Sequence, residues 1–170
     1  MQNEYESICR KYYGRIYSFL YKMCSDKELT EDLTQETFYQ AFISMHRYKG
    51  SSDMFTYIAS IAKHLYFKQL KKSKHIDQVS DIGDISDYLT DEGALNPQEI
   101  YEQASERIRL KEAISRLPDK YRDIVLYRVY AEMTFAQAAQ AMDITENSAK
   151  VLFFRAKNKL KAELNNEDVM

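Results

Sequence analysis

Asp32 and Glu36 stand one helical turn apart, with Gln35 beside them. Paired carboxylates at that spacing could serve as general acid and general base. No nucleophile, oxyanion donor or cofactor loop accompanies them, so the better reading is an exposed patch for docking another protein, and no catalytic residue is expected. The dipole of a helix N-terminus accounts for Glu31 and Asp32, but less well for Gln35 and Glu36. The histidines His46, His64 and His75 lack an i, i+4 partner, and Cys9 and Cys24 lack metal or redox spacing. No metal and no cofactor are expected.

Cations supply the other candidate chemistry. From Ser148 to Ala162 there are five basic residues and no acidic one. On a helical wheel Ala149, Leu152, Phe153, Ala156 and Leu160 share a core-facing stripe. The opposite side carries Asn147, Val151, Phe154 and Asn158, flanked by Lys150 and Arg155. Lys150 and Arg155 suit phosphates or guanine edges, and Ser148 can donate to a phosphate or a base. Phe154, opposite the core stripe, fits contact with a thymine methyl. A solvated basic face is the bland alternative for this helix taken alone.

A second cationic face lies in residues 54–76, with five lysines and no carboxylate. Phe55, Ile58, Ala59, Ala62, Leu65, Tyr66 and Leu70 are the expected core side, and Tyr57, Ser60, Ile61, His64, Lys68 and Lys71 the outer side. Tyr48 and Lys49 occupy the loop just before. Aromatics interleaved with lysines suit single-stranded nucleic acid, where bases stack on rings and lysines follow the backbone. The competing reading is a cationic helix that covers its own core.

Helical elements must position all of these groups. Four Gly and two Pro in 170 residues leave too few turns for an all-β fold. Periods of three and four predict helices over 4–24, 31–47 and 54–73, with Leu33, Phe38, Ala41, Phe42 and Met45 as the apolar positions of the second. Pro118 suits a first helical position, opening a helix to about Tyr130. Thr134 and Gln137 match a capping box, and Thr145 can cap a last helix to about Leu164. A short capped helix, a tight turn and a basic helix make a helix-turn-helix.

The net charge of −2 conceals a division into +4 over residues 1–74, −8 over 75–105 and +2 over 106–170. The expected architecture is therefore all-α: two small helical domains, 1–74 and 106–170, joined by an acidic flexible linker, 75–105. The basic modules can face a polyanion; the linker cannot. No apolar run approaches the roughly 18 residues of a membrane span, and the polar N-terminus and free thiols predict a cytoplasmic protein without membrane insertion.

Thr30-Glu-Asp-Leu-Thr-Gln-Glu-Thr-Phe38 resembles a signature of bacterial sigma factors of the extracytoplasmic-function (ECF) type, within the sigma-70 family. Leu117-Pro-x-x-x-Arg122, followed by the helix-turn-helix through Arg155-Ala-Lys, resembles the promoter-reading domain of the same family. The resemblance implies an initiation factor that binds RNA polymerase core, directs it to promoters and helps open them. It implies that Asp32, Gln35 and Glu36 dock on the β′ clamp helices. Ser44, Tyr48, Lys49, Tyr57, Ile61, His64 and Lys68 would serve the minus-ten element, with a flipped base captured among them. Arg128, Ser148, Lys150, Val151, Phe154 and Arg155 would contact the minus-thirty-five element. The β flap and an anti-sigma factor, usually membrane-anchored, are the further partners implied. The acidic linker would run through the polymerase RNA channel. Tyr57 stands where many members have Trp, His64 where Asn is frequent, Leu152 where a basic residue is common, and Asp143 where the turn glycine is usual.

The runner-up is a helix-turn-helix regulator independent of polymerase, which would be a dimer on a palindromic operator. A helical adaptor with no DNA role would tolerate changes at Lys150 and Arg155.

Overall fold

The computed structural model describes residues 2–73 and 96–168. Helix α1 (Gln2–Cys24) buries Ile16, Phe19, Leu20 and Met23, spaced three and four apart, so one stripe enters the core. Ser25 takes a left-handed φ of 53° and turns the chain. Asp26 then caps α2 (Lys27–Ser44) by accepting the Leu29 N–H at 2.9 Å. The gap expected between helices 4–24 and 31–47 is therefore only a two-residue turn.

The buried face of α2 corrects the expected one. Thr30, Thr34 and Thr37 are buried beside Leu33, Phe38 and Ala41. Each threonine hydroxyl donates to a carbonyl one turn back, at 2.6 Å. With its polar atom satisfied inside the helix, each can turn its methyl to the core. Phe42 was expected in the core and is 53% exposed, its ring 4.7 Å from that of Tyr5. Met45 lies in a short 3₁₀ turn (Met45–Arg47) and is half-buried.

Helix α3 (Met54–Ser73) follows a loop in which Gly50 has a φ of 72°. Phe55, Ile58, Ala59 and Ala62 are buried as their spacing requires, and Thr56 joins them. The three helices pack on one another and form the first module.

Helix resumes earlier than the charge pattern indicates. Helix α4 (Pro97–Arg116) takes in residues 97–105, which composition assigns to the linker. Asn96 accepts the Glu99 N–H at 2.9 Å, and Glu99 accepts the Asn96 N–H at 3.2 Å. This reciprocal cap, with Pro97 at the first position, starts a helix despite its negative charge. The remaining linker residues, including Asp77, Asp81, Asp84, Asp87, Asp91 and Glu92, lie outside the described residues. Helix α5 (Asp119–Val125) starts just after Pro118 and continues as one turn of π-helix (Leu126–Tyr130). Helix α6 (Phe135–Met142) and helix α7 (Glu146–Asp168) complete the second module. Its core joins Ala113, Ile114, Leu117, Ile124, Val125, Leu126, Tyr127, Met133, Ala138, Ala139, Ala149, Ala156 and Leu160. Among the described residues no strand is present.

The two modules touch. Helix α3 meets α6, and the π-turn meets α1.

Candidate nucleic-acid and partner interfaces

Asp32, Gln35 and Glu36 are all exposed on one face of α2. The same face continues through Tyr39, 57% exposed, and Ile43, with Phe42 at its edge. The patch is thus half acidic and half apolar. Its apolar half escaped the sequence reading, because an aromatic at helical spacing reads as core until the buried threonines are seen to fill that side. Such a contiguous exposed apolar patch marks a binding surface more often than chance.

Around the edge of α2 lies a groove of about 450 Å³. Ser44, Tyr57, Ile61, His64 and Lys68 line it, together with Glu36, Gln40, Ser60 and Leu65. Five of the seven residues expected to serve one nucleic-acid element therefore meet in one concavity, and Glu36 belongs to both the groove and the acidic patch. Ser44 Oγ and Tyr57 Oη are 2.6 Å apart, and Ser44 also donates to the Gln40 carbonyl at 2.7 Å. Glu36 in turn accepts from Gln40 Nε2 at 2.8 Å. These bonds fix the Tyr57 ring as one wall.

Tyr48 and Lys49 sit apart from the groove lining. The Tyr48 ring tilts against Tyr57 with centroids 5.0 Å apart, and its hydroxyl donates to the Ser52 carbonyl, which closes the loop. Burial, then the negative charge of Asp53 and the neighbouring Tyr12, push the Tyr48 hydroxyl above its ordinary pKa, so it stays a donor. Lys49 is exposed beside it. Asp53 caps α3, accepting the Thr56 N–H and the Thr56 hydroxyl, each at 2.9 Å. Burial alone would raise the Asp53 pKa. Hydrogen bonds from the Thr56 N–H, the Gln137 amide, the Thr56 hydroxyl and the Phe55 N–H outweigh that and hold it below the usual carboxylate range.

The expected capping box opens α6: Gln137 N–H donates to Thr134 Oγ1 at 3.1 Å, and Thr134 N–H to Gln137 Oε1 at 2.9 Å. Asp143 ends it with φ 54° and ψ 48°, the left-handed conformation that glycine adopts most readily. Thr145 accepts the Ser148 N–H at 3.1 Å and donates to Ser148 Oγ at 2.9 Å, so both ends of the turn are pinned. Ala149, Ala156 and Leu160 are buried, with Leu152 and Phe153 half-buried, as the wheel requires. Ser148, Lys150, Val151, Phe154 and Arg155 all face outward, Phe154 with 62% exposure. Lys150 pairs with Glu146 at 3.5 Å in the surface.

Arg128 stands apart from this face. Its guanidinium donates to the Met133 carbonyl and lies 4.1 Å over the Phe135 ring. Its Nε is buried without a partner. These contacts tie the π-turn to the start of α6, where Glu132 is held at a φ of 54°.

The fold and these surfaces define a class: an all-helical protein with a helix-turn-helix and an exposed basic helix face on one module, and a half-acidic, half-apolar helix face beside a groove on the other. Family models agree. Sigma-70 region 2 matches residues 8–76 and sigma-70 region 4 matches residues 107–160. The chain is 30% identical over 164 residues to the ECF RNA polymerase sigma factor SigM of Bacillus subtilis (strain 168), covering 94% of each. It is 26% identical to the ECF RNA polymerase sigma factor SigX of the same organism, covering all of this chain and 89% of the relative. The chain belongs to the ECF sigma factors of the sigma-70 family. It directs RNA polymerase in transcription initiation.

Solved structures share the fold, and two of them show how far the likeness extends. One is the sigma factor RpoE in complex with the anti-sigma factor NepR from Bartonella quintana, at TM-score 0.60 and 18% identity, covering 95% of this chain and 97% of that one. The other is CnrH in complex with the cytosolic domain of CnrY, at TM-score 0.63 and 12% identity, covering 98% and 90%.

Proposed function

We propose how the surfaces divide the work of initiation. Asp32, Gln35 and Glu36 dock on the β′ clamp helices of core polymerase, and Tyr39, Phe42 and Ile43 extend that contact with apolar area. The groove beside them receives an unpaired base of the minus-ten element. Tyr57 offers a stacking wall, Ser44, His64 and Gln40 offer hydrogen bonds, and Lys68 with Lys49 follows the backbone. Ser148, Lys150, Val151, Phe154 and Arg155 enter the major groove of the minus-thirty-five element. Arg128 positions that helix-turn-helix from behind. The second module meets the β flap, and an anti-sigma factor, anchored to the membrane, sequesters the free protein; the complex of the neighbour RpoE with the anti-sigma factor NepR supports a partner of that kind. The protein acts in the cytoplasm, carries out no chemical step of its own and needs no cofactor. Among the described residues no helix is long and apolar enough to cross a membrane.

The groove is the observation that supports this reading, because it collects five of the residues assigned to the minus-ten element into one concavity beside the acidic face of α2. Multi-round transcription with purified bacterial core polymerase on a promoter library tests it. Discrete transcripts are expected only when the chain is added. The variant with Asp32→Lys and Glu36→Lys is expected to lose co-elution with core and all transcripts. Intact holoenzyme formation by that variant would remove the clamp assignment. A footprint on an operator by the protein alone would instead favour a polymerase-independent regulator.

A further inference from the structure

Helix α1 carries a cationic side. From Ser7 to Ser25 the chain holds Arg10, Lys11, Arg15 and Lys22 and no carboxylate. At the turn of an α-helix, Lys11, Gly14, Arg15, Ser18 and Lys22 fall within one arc of about 100°. All five are exposed, and the buried stripe of Ile16, Phe19, Leu20 and Met23 lies on another side. Lys22, at the end of the row, pairs with Glu132 at 3.6 Å. Lys11 and Arg15 lie over rings instead, Lys11 Nζ 5.2 Å from the Tyr12 centroid and the Arg15 guanidinium 3.6 Å from that of Phe55.

Gly14 sits between these two cations on the helix surface. Glycine weakens a helix interior relative to alanine, because the chain gives up more freedom to enter the helix. Nothing in the fold calls for it here. Its φ is not positive, and a methyl group at its Cα would meet no atom within 4 Å. A gap of this kind lets a ligand approach the helix backbone closely. A cationic face alone is commonly only solvated. The glycine gap sets this one apart, and so does its connection to the groove.

That connection runs through rings. Phe55, under Arg15, has its centroid 6.2 Å from that of Tyr12. Tyr12 acts electrostatically on Tyr48, and the Tyr48 ring tilts against Tyr57, the groove wall, at 5.0 Å. Arg47 and Lys49 are exposed in the segment between. Asp53, the carboxylate of that loop, spends its oxygens on Thr56 and Gln137. A polyanion that leaves the groove over this loop therefore meets Lys49 and then Arg15 and Lys11.

We propose that Lys11, Gly14, Arg15 and Ser18 form a further nucleic-acid site, which holds the sugar-phosphate backbone of the unpaired strand whose base enters the groove. The site rests on the minus-ten reading of that groove. Lys11 and Arg15 contact phosphates, Ser18 donates to one, and Gly14 lets the strand lie against the helix. Contacts to phosphate position a strand without reading it, so the site adds affinity and no sequence preference.

Holoenzyme assembled from the full chain and core polymerase tests this. It is titrated with a labelled single strand carrying the minus-ten element, and with the same strand lengthened by several nucleotides at either end. Lengthening at one end is expected to tighten binding by the parent. Two single-strand phosphates add about 1.4 to the salt slope, so from about 50 to about 200 mM salt the Kd of the long strand rises about sevenfold more than that of the short one. Lys11→Gln with Arg15→Gln is expected to abolish this difference and to leave the short strand unchanged. Gly14→Leu is expected to remove most of the gain from lengthening while Tm holds or rises, since Leu is the better helix former. It covers the case in which the double variant fails to fold. A gain that survives in both variants overturns the site, and so does a parent that gains nothing from either extension. An equal loss on both lengths places the cations within the groove site and overturns a separate one. Parent holoenzyme that binds neither strand refutes the minus-ten reading instead. The free chain titrated with labelled oligothymidylate then decides the α1 site: weaker binding by the double variant sustains it, and equal binding overturns it.

Discussion

Phe154 projects from α7 into solvent while Ala149, Ala156 and Leu160 on the opposite side are buried. Removing its ring leaves no cavity. Phe154→Ala is therefore expected to lower transcription from the cognate promoter while shifting Tm by no more than a few degrees, as thermal melting alongside in vitro transcription checks. A fall equivalent to about 3 kcal/mol would place the ring in the core. Cys24 illustrates the reverse situation. Burial pushes its thiol up to about 11, against the lowering effects of the Thr30 hydrogen bond and the Lys111 charge, and with a raising effect from Asp26. At pH 8 only about one molecule in a thousand carries the thiolate there, and the thiolate is the reactive form. Titration with a chromogenic disulfide is expected to show Cys24 reacting only slowly in the native protein and rapidly once the chain is unfolded.

At the scale of elements, the caps control where each reading helix begins. The Thr134–Gln137 box starts an eight-residue helix, which is too short to persist without tertiary support. Thr134→Ala removes the acceptor for the Gln137 N–H and is expected to cost about 1 kcal/mol, read by urea unfolding. Because α6 braces the start of α7, transcription should fall further than that stability loss alone would account for. Helix α2 shows the other use of an element. Its buried side satisfies three threonine hydroxyls internally, which frees the opposite side to carry carboxylates at one end and aromatics at the other.

Over the whole molecule, Asp53 links the loop before α3, the cap of α3 and the second module. Its pKa is held below the ordinary value in the folded chain, so the folded state favours the carboxylate. As pH falls, the unfolded chain takes up the proton first. The stabilisation from Asp53 is thus complete above the unfolded carboxylate pKa and is lost as pH falls through the lower folded value. Stability measured by denaturant unfolding from pH 7 into the acid range is expected to fall, and Asp53→Asn is expected to flatten that slope while lowering stability at pH 7.

Helix types, the capping box at Thr134 and the outward face of α7 were all legible in the order of residues, because they depend on neighbours within a few positions. Periodicity and cap chemistry are local quantities. The start of α4 was also local: Asn96-Pro97-x-Glu99 is a capping signal, but the run of negative charge obscured it. The exposed Phe42 and the buried threonines were not legible, since a wheel shows that a helix has two sides and only packing chooses which one α1 and α3 cover. The resemblance implies a DNA contact for Arg128, and the fold packs its guanidinium on the Met133 carbonyl and the Phe135 ring. The groove exists only where α2 and α3 converge, and the Asp53–Gln137 and Lys63–Asp123 contacts join residues 84 and 60 positions apart. Contacts at that separation depend on how whole helices pack, and no local pattern encodes them.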